Sequence, residues 1–332
     1  MKNLQVVSRS NKQGFTVVEL LVAMAISLVV LSAVFFTFKS QHDSFLTQDQ
    51  ISAMQQNVRA AMIMITRDIQ MGGYYTNFDR SGCSMDWDDL SGSCDPDGTD
   101  EETIRPLICA HDNIDDSPLN KDKIKNGTDL IVIAKASDKG RPLAAGENAT
   151  GNTIDASLRD VDDLKKNKCA LLVKNDLSSA DFFRVEEDSG AMKLSPGREL
   201  QESYSEGDLI FRADVVIYYV DDESQSLCLC RKNLGNNEGA QVIAENIDNI
   251  QFRYLLDNGT WVNDPNNPPG TSGANVRAIE VSLLARTAQP LRGYLNTDTY
   301  SMGGSDIGPF NDGYRRKLLA SIVETRNIGL PR

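Results

Sequence analysis

The sequence has few of the groups that enzymes commonly use for catalysis. Among 332 residues there are two histidines, His42 and His111, and neither belongs to a recognisable nucleophile, zinc or phosphate-binding motif. Paired carboxylates alone can hydrolyse glycosidic bonds, but with 47 acidic residues a chance pair carries no information. The composition therefore favours a protein that is not an enzyme and that uses no cofactor.

Positive charge is also scarce. The chain has 34 Lys and Arg against 47 Asp and Glu, a formal net charge of −13. Such a protein repels the phosphate backbone of nucleic acids and anionic lipid surfaces, so nucleic acid is not an expected partner. Lys2, Arg9 and Lys12 all precede the first acidic residue, Glu19, which makes the N-terminal segment basic.

Charge is nearly absent from the segment that follows. Between Phe15 and Phe38 the polar residues are Thr16, Glu19, Ser27, Ser32 and Thr37. At about 1.5 Å per residue a helix over this segment reaches roughly 36 Å, slightly more than the ~30 Å hydrocarbon core of a bilayer. Because no small-residue cleavage site follows the apolar run, we predict a transmembrane helix over 15–38, its basic end in the cytoplasm.

Glu19 is an ionisable group inside this run, which costs about 2.5–3.5 kcal/mol on insertion scales and usually indicates function. No Lys, Arg or His lies between Phe15 and Phe38, so the run supplies no counter-charge. If the chain is cut after Gly14, the new α-amino group of Phe15 is a cation at similar depth. A neighbouring chain shifted by about one helical turn would align this amine with the carboxylate. A plain signal anchor is the alternative.

The string GFTVVELLVAMAISLVVL resembles the class III signal of type IV prepilins and pseudopilins. In that family an inner-membrane prepilin peptidase cuts after a glycine and methylates the new amine, which keeps its charge. The resemblance implies that Gly14 is the cleavage position, that Phe15 is the N-methylated residue, and that Glu19 is the carboxylate used in assembly.

The helix is expected to continue beyond the apolar run. No Pro or Gly occurs from Phe15 to Met71, and Gly72-Gly73 supplies a stop signal. Apolar residues recur at mostly three- and four-residue steps, which predicts an amphipathic half: Phe45, Ile51, Met54, Val58, Ala61, Met62, Ile65 and Ile69. The expected organisation is a leader over 1–14, a helix over 15–71 and a periplasmic or extracellular head over 72–332.

Strand patterns predominate in the head. Apolar runs begin at Asp129, Cys169, Asp181, Asp208 and Ser226, and alternating faces follow at Phe252–Leu256 and Ile279–Ala285. Long loops are expected over 72–127, over 138–168 and from Asn263. The predicted fold class is therefore α+β and pilin-like, with a long N-terminal helix packed on an antiparallel β-rich head.

The C-terminal segment RRKLLASIVETRNIG has two interpretations. Leu318, Leu319, Ile322 and Val323 fit helical spacing better than alternation. However, ENIDNIQFRYL from Glu245 and the closing ETRNIGL resemble PilW-type minor pilins, in which the final segment is expected to be a strand. We predict a strand on this resemblance.

Six cysteines lie beyond the apolar run: Cys83, Cys94, Cys109, Cys169, Cys228 and Cys230. An even number on the side away from the cytoplasm favours disulfides. Cys83 and Cys94 flank a short acidic loop and form the best pair, while the pairing of the others stays open. Cys228 and Cys230 would face the same side of a strand. No metal is predicted, because Cys109 and His111 lack a second closely spaced ligand pair.

The resemblance implies a PilW-type minor pilin that joins other minor pilins, primes type IV pilus assembly and supports a tip adhesin. The protein would lie in the bacterial inner membrane with its head in the periplasm, and later at the pilus tip. A large head is hard to repeat around helices only about 10 Å apart, which favours the tip over the shaft. A J-type pseudopilin of a type II secretion system is the nearest alternative, and a membrane-anchored periplasmic enzyme is a third.

Overall fold

The computed structural model of the chain describes residues 14–74, 108–111, 124–156, 161, 164, 168–187, 192–194, 200, 202–222, 227–236, 239–263 and 276–327. The chain divides into two compact units, Met1–Gln50 and Ile51–Arg332. Each unit is described by itself.

A single helix, α1, spans Val17–Met71 and contributes to both units. It ends where Gly73 adopts a left-handed conformation with φ 78°, which a glycine reaches without the steric cost of a side chain. The Gly72 amide donates to the Ile69 carbonyl over 3.1 Å in the closing turn. The prediction of a long N-terminal helix is therefore confirmed.

In the first unit the apolar side chains of α1 are exposed. Three of the four hydroxyl residues of the apolar run donate to carbonyls of the helix itself. The Ser27, Ser32 and Thr37 hydroxyls donate to the carbonyls of Ala23, Leu28 and Ala33 over 2.7, 2.8 and 2.9 Å. These groups therefore need no partner outside the helix, as a segment in hydrocarbon requires.

Within the described residues, sixteen strands follow α1. They are β1 Ile108–His111, β2 Leu130–Pro142, β3 Asn148–Thr150, β4 Thr153–Asp155, β5 Cys169–Val173, β6 Ala180–Glu187, β7 Met192–Leu194, β8 Leu209–Asp221, β9 Cys228–Asn233, β10 Gln241–Glu245, β11 Ile247–Leu256, β12 Trp261–Val262, β13 Val276–Arg286, β14 Tyr300–Met302, β15 Ser305–Ile307 and β16 Arg316–Glu324.

The strands form two main sheets and a small hairpin, with antiparallel pairing throughout. The larger sheet has the order β1-β2-β8-β5-β6-β7-β4-β3; β9 also pairs with β8, and β10 pairs with β9. The smaller sheet has the order β12-β11-β13-β16, and β14 pairs with β15. The predicted α+β class is confirmed, whereas the expected loop over 138–168 contains the end of β2 and the short strands β3 and β4.

The core of the second unit forms around one stripe of α1. Six apolar residues of the helix are buried in one cluster with residues of β2, β8, β11 and β13: Met54, Val58, Ala61, Met62, Ile65 and Ile69. Burial of a large apolar side chain stabilises by roughly 1.5–3 kcal/mol. The predicted amphipathic pattern therefore corresponds to a face that packs on both sheets.

Asp68 forms a buried charged contact on the same stripe. Its Oδ1 lies 2.5 Å from Lys135 Nζ on β2, and its Oδ2 accepts from Tyr218 Oη at 2.6 Å and Arg231 Nε at 3.0 Å. Burial opposes ionisation of Asp68, but the charge and hydrogen bond of Lys135, with the contacts from Tyr218 and Arg231, outweigh it and lower its pKa. Three strands are thereby tied to one helical carboxylate.

The C-terminal segment is the strand β16, as the resemblance implies and against its helical spacing. It pairs with β13 over its whole length, from Arg316 opposite Arg286 to Glu324 opposite Ala278. Val323 reaches the core, whereas Ile322 is exposed. Pairing with a neighbouring strand has overridden the local periodicity, which is common where tertiary packing decides.

Replacing Asp68 with Asn is expected to lower the unfolding free energy by about 3 kcal/mol, because Lys135 and Arg231 lose their buried counter-charge. Since the pKa of Asp68 is lowered on folding, its contribution is present above about pH 4 and is lost as the pH falls further. As the pH falls below about 4, the unfolding free energy of the Asp68→Asn variant should therefore decrease less than that of the parent chain. Denaturant unfolding of the detergent-solubilised chain, followed by circular dichroism, measures both effects.

The matched control is Asp49→Asn, which removes an exposed carboxylate from the same helix. It should leave the unfolding free energy within about 0.5 kcal/mol of the parent, as most surface substitutions do. Equal effects of the two substitutions would contradict the role given to Asp68.

Candidate assembly site

The first turn of α1 is closed by a reciprocal pair of residues. The Glu19 amide donates to Thr16 Oγ1 at 3.2 Å, while the Thr16 amide donates to Glu19 Oε2 at 2.9 Å. Thr16 Oγ1 also lies 3.1 Å from the same carboxylate oxygen. This arrangement is a capping box, in which a Thr before the helix and a Glu in its first turn satisfy two otherwise unpaired amides.

The capping box uses one oxygen of the carboxylate. Within the described residues Glu19 Oε1 accepts no hydrogen bond, and no cation lies near the carboxylate. The side chain is exposed on a helix whose surrounding side chains are apolar. In hydrocarbon, such a carboxylate is incompletely satisfied and would attract a positively charged donor.

The predicted cleavage position lies just before the helix. Phe15 is 89% exposed, and residues 14–16 have no helical or strand structure. A Cβ atom added at Gly14 would meet no other atom within 4 Å. Among the described residues, no neighbouring atom therefore requires a glycine at position 14.

Among the described helices, α1 is long and apolar enough to cross a membrane, and none of its apolar window is buried. The other helix among the described residues, Leu234–Asn236, has three residues.

The predicted disulfide pair, Cys83 and Cys94, lies outside the described residues and stays a prediction. Cys109 is on β1, where its backbone is opposite Val132. Cys169, Cys228 and Cys230 are buried in one apolar cluster, whereas Leu229 packs in another. Cys228 and Cys230 therefore face the same side of β9, as expected from their spacing. In the part of the chain that the structure describes, no group of three acidic, His or Cys residues could hold a metal.

Two family models match this chain. The model described as "Prokaryotic N-terminal methylation motif" matches residues 9–35, the segment that contains the capping box. The model described as "Type IV Pilus-assembly protein W" (PilW) matches residues 217–327, from β8 through β16. The chain therefore combines a prepilin-type N-terminal motif with a PilW-type segment in its later strands. The prediction made from the N-terminal and C-terminal strings is thereby confirmed.

Similar proteins are known from Thermus thermophilus. Pilin-like protein PilA3 of this organism is 44% identical over 62 residues, which cover 19% of this chain and 27% of the relative. The match thus spans about a quarter of that relative's length. The solved structure of the type IV-like pilin TTHA1219 has 19% identity and a TM-score of 0.24, and the match covers 49% of this chain and 86% of that chain.

Replacing Thr16 with Ala should weaken the first turn of α1 by about 1 kcal/mol, because the Glu19 amide loses its acceptor. Exchange of that amide in micelles should therefore accelerate by about fivefold. Thr16→Ser keeps the hydroxyl and should exchange at the parent rate.

Thr37→Ala is a control inside the same apolar run, since the Thr37 hydroxyl contacts the Ala33 carbonyl and caps no amide. Exchange of the Glu19 amide that is as slow in Thr16→Ala as in Thr37→Ala would show that the capping box does not stabilise the turn.

Proposed function

We propose that this chain is a minor pilin that is cut after Gly14, N-methylated at Phe15 and assembled with other pilins through Glu19. The observation that carries the proposal is that the two oxygens of the Glu19 carboxylate have different contacts. Oε2 of Glu19 caps the chain's own helix, and Oε1 has no partner among the described residues. The capping box holds the carboxylate in one position before any neighbour binds.

A neighbouring pilin would supply the missing charge. Cleavage creates an α-amino group that methylation leaves protonated, and this group is four residues before Glu19 in the chain. In the apolar interior of a membrane an unpaired carboxylate costs about 2.5–3.5 kcal/mol. Pairing with a neighbour's amine removes most of that cost. The Glu19 carboxylate in the membrane therefore makes the assembled state more favourable than the isolated subunit.

The size of the second unit supports a place at or near the pilus tip. Residues 51–332 form one compact unit, while packed helices are only about 8–10 Å apart. Many copies of so large a unit would collide around a closely packed helical core. We propose that the chain acts structurally, primes assembly with other minor pilins from the inner membrane, supports a tip adhesin, and catalyses no reaction.

The mature chain is expected to begin at N-methyl-Phe15, because only a cut after Gly14 creates an amine close to the level of Glu19. Intact-mass and N-terminal analysis of the protein from pilus fractions measure this directly. Cells without prepilin peptidase serve as the control and should retain Met1. Retention of Met1 in pilus fractions, or a cut beyond Phe38, would refute this processing.

Charge and capping at Glu19 can be separated by two substitutions. Glu19→Gln keeps an oxygen that can accept from Thr16 but removes the charge. Thr16→Ala removes the hydroxyl of the capping box and keeps both the charge and the backbone amide that donates to Glu19. We expect Glu19→Gln to be inserted and cleaved, yet to co-purify with other minor pilins at least about tenfold less well. Thr16→Ala should be recruited less well than the parent but better than Glu19→Gln, because the charge remains and only the positioning by the Thr16 hydroxyl is lost.

Surface pili are counted in cells that carry each variant alone. Normal recruitment and normal piliation with Glu19→Gln would leave the carboxylate without the proposed role, and a plain membrane anchor would then be the better interpretation.

A further inference from the structure

The start of α1 lies at a fixed position relative to the proposed cut. The helix begins at Val17, and the Leu20 amide donates to the Thr16 carbonyl over 3.2 Å. Thr16 is therefore the N-cap residue, whose carbonyl accepts a bond of the first turn while its own backbone stays outside the helix. The peptide bond between Gly14 and Phe15 is one residue before this cap.

The Gly14–Phe15 bond lies in an exposed and irregular part of the chain. Gly14 is exposed, and Phe15 is 89% exposed. Among the residues that the structure describes, the carbonyls of these two residues accept no backbone hydrogen bond. Exposed segments without regular structure are preferred sites of proteolysis, so the observed conformation suits an enzyme that must reach this bond.

One hydrogen bond opposes a longer helix. If α1 continued through the Gly14–Phe15 bond, the Glu19 amide would donate to the Phe15 carbonyl, four residues earlier. In the structure the same amide donates to Thr16 Oγ1 at 3.2 Å. The Thr16 hydroxyl therefore competes with the Phe15 carbonyl for one donor, as short polar side chains commonly do at helix ends.

Without this hydroxyl, the sequence allows the helix to start earlier. Glycine is among the residues accepted at the N-cap, so Gly14 is a candidate cap for a helix that begins at Phe15. An amide without a partner is costly near hydrocarbon, which favours transfer of the Glu19 amide to the Phe15 carbonyl. Such a helix would include the amide of the Gly14–Phe15 bond.

We infer that Thr16 is a positioning residue for the cleavage reaction. Its hydroxyl ends α1 before the Gly14–Phe15 bond and keeps that bond in the irregular conformation that the peptidase cuts. This role rests on the proposed function, which sets the cut after Gly14. The step is hydrolysis: water adds its oxygen to the Gly14 carbonyl carbon, the C–N bond to Phe15 breaks, and a proton passes to the departing amine. Thr16 takes no part in the bond changes.

Two substitutions separate the cap from the shape of the side chain. Thr16→Val keeps the branched shape and loses the hydroxyl, whereas Thr16→Asn changes the shape and restores an oxygen that caps well. Purified prepilin peptidase acting on the full detergent-solubilised chain should cut Thr16→Val with a kcat/KM about two- to fivefold lower than the parent value. Thr16→Asn should be cut at nearly the parent rate. Initial rates are needed, because a slower cut can still reach completion in growing cells.

The conformation of the uncut chain is measured beside the kinetics. In micelles, the ¹³C chemical shift of Phe15 Cα should move toward its helical value in Thr16→Val and stay at the parent value in Thr16→Asn. Thr37→Val is the matched control inside the same apolar run, since the Thr37 hydroxyl donates to the Ala33 carbonyl and caps no amide. It should change neither the cleavage rate nor the shift.

Three results would overturn the role of Thr16. The first is cleavage of Thr16→Val at the parent rate. The second is cleavage of Thr16→Asn that is as slow as that of Thr16→Val, because the peptidase would then recognise threonine itself. The third is slower cleavage of Thr16→Val without a change in the shift of Phe15 Cα.

The role of Thr16 and the proposed function can be refuted separately. If the parent chain is not cut after Gly14, the proposed processing is wrong and the role of Thr16 falls with it. If the parent is cut there and Thr16→Val is cut equally fast, only the role of Thr16 is refuted.

Discussion

A carboxylate removed from water must find positive charge or hydrogen-bond donors, and this constraint governs both ends of α1. Near the C-terminal end, Asp68 is buried against the larger sheet. Near the N-terminal end, Glu19 lies in a run of apolar residues that contains no cation. The two acids belong to one helix, and they meet the same physical requirement in different ways.

Asp68 is satisfied within the chain. Lys135, Tyr218 and Arg231 surround its two oxygens at 2.5–3.0 Å, so the helix is held in one register against β2, β8 and β9. Apolar packing of the stripe from Met54 to Ile69 supplies most of the stabilisation. The ion pairs orient the helix and add stability above about pH 4. Asp68 is therefore satisfied by described residues of its own chain.

Glu19 is only half satisfied within the chain, because the capping box occupies Oε2 alone. Because Oε1 still lacks a hydrogen-bond donor among the described residues, we propose that the first turn of α1 is the site of assembly. The cap favours the Glu19 rotamer in which Oε2 contacts Thr16. A neighbour's amine would then meet an oxygen that is already in position, which lowers the entropic cost of pairing.

Much of this was predictable from the sequence, and the exceptions have physical causes. The helix could be predicted because no Pro or Gly interrupts it, and Glu19 stood out as a charge in an apolar run. The Thr16 cap was missed, although Thr-x-x-Glu is a recognised signature. The Asp68 cluster could not be predicted, because its partners are 67, 150 and 163 residues away in the sequence.

The prediction of a loop after Asp138 was wrong, again because residues distant in the sequence determine the local structure. β2 continues through a register shift between Ala136 and Gly140, and a Cβ atom at Gly140 would come within 2.1 Å of the Phe211 ring. The close aromatic ring therefore requires a glycine at position 140, within the irregular part of the pairing.

The most direct test of the account is the distance between Glu19 and the N-terminal amine of another chain. Solid-state NMR can measure it in an assembled complex in which this chain carries ¹³C-labelled Glu and its partners carry ¹⁵N at their N-terminal residue. The amine nitrogen resonates apart from the backbone amides. The account predicts dipolar dephasing that corresponds to roughly 3–4 Å between the Glu19 carboxylate and that amine, as in a charge-assisted hydrogen bond. Dephasing that is absent from the assembled complex would contradict it.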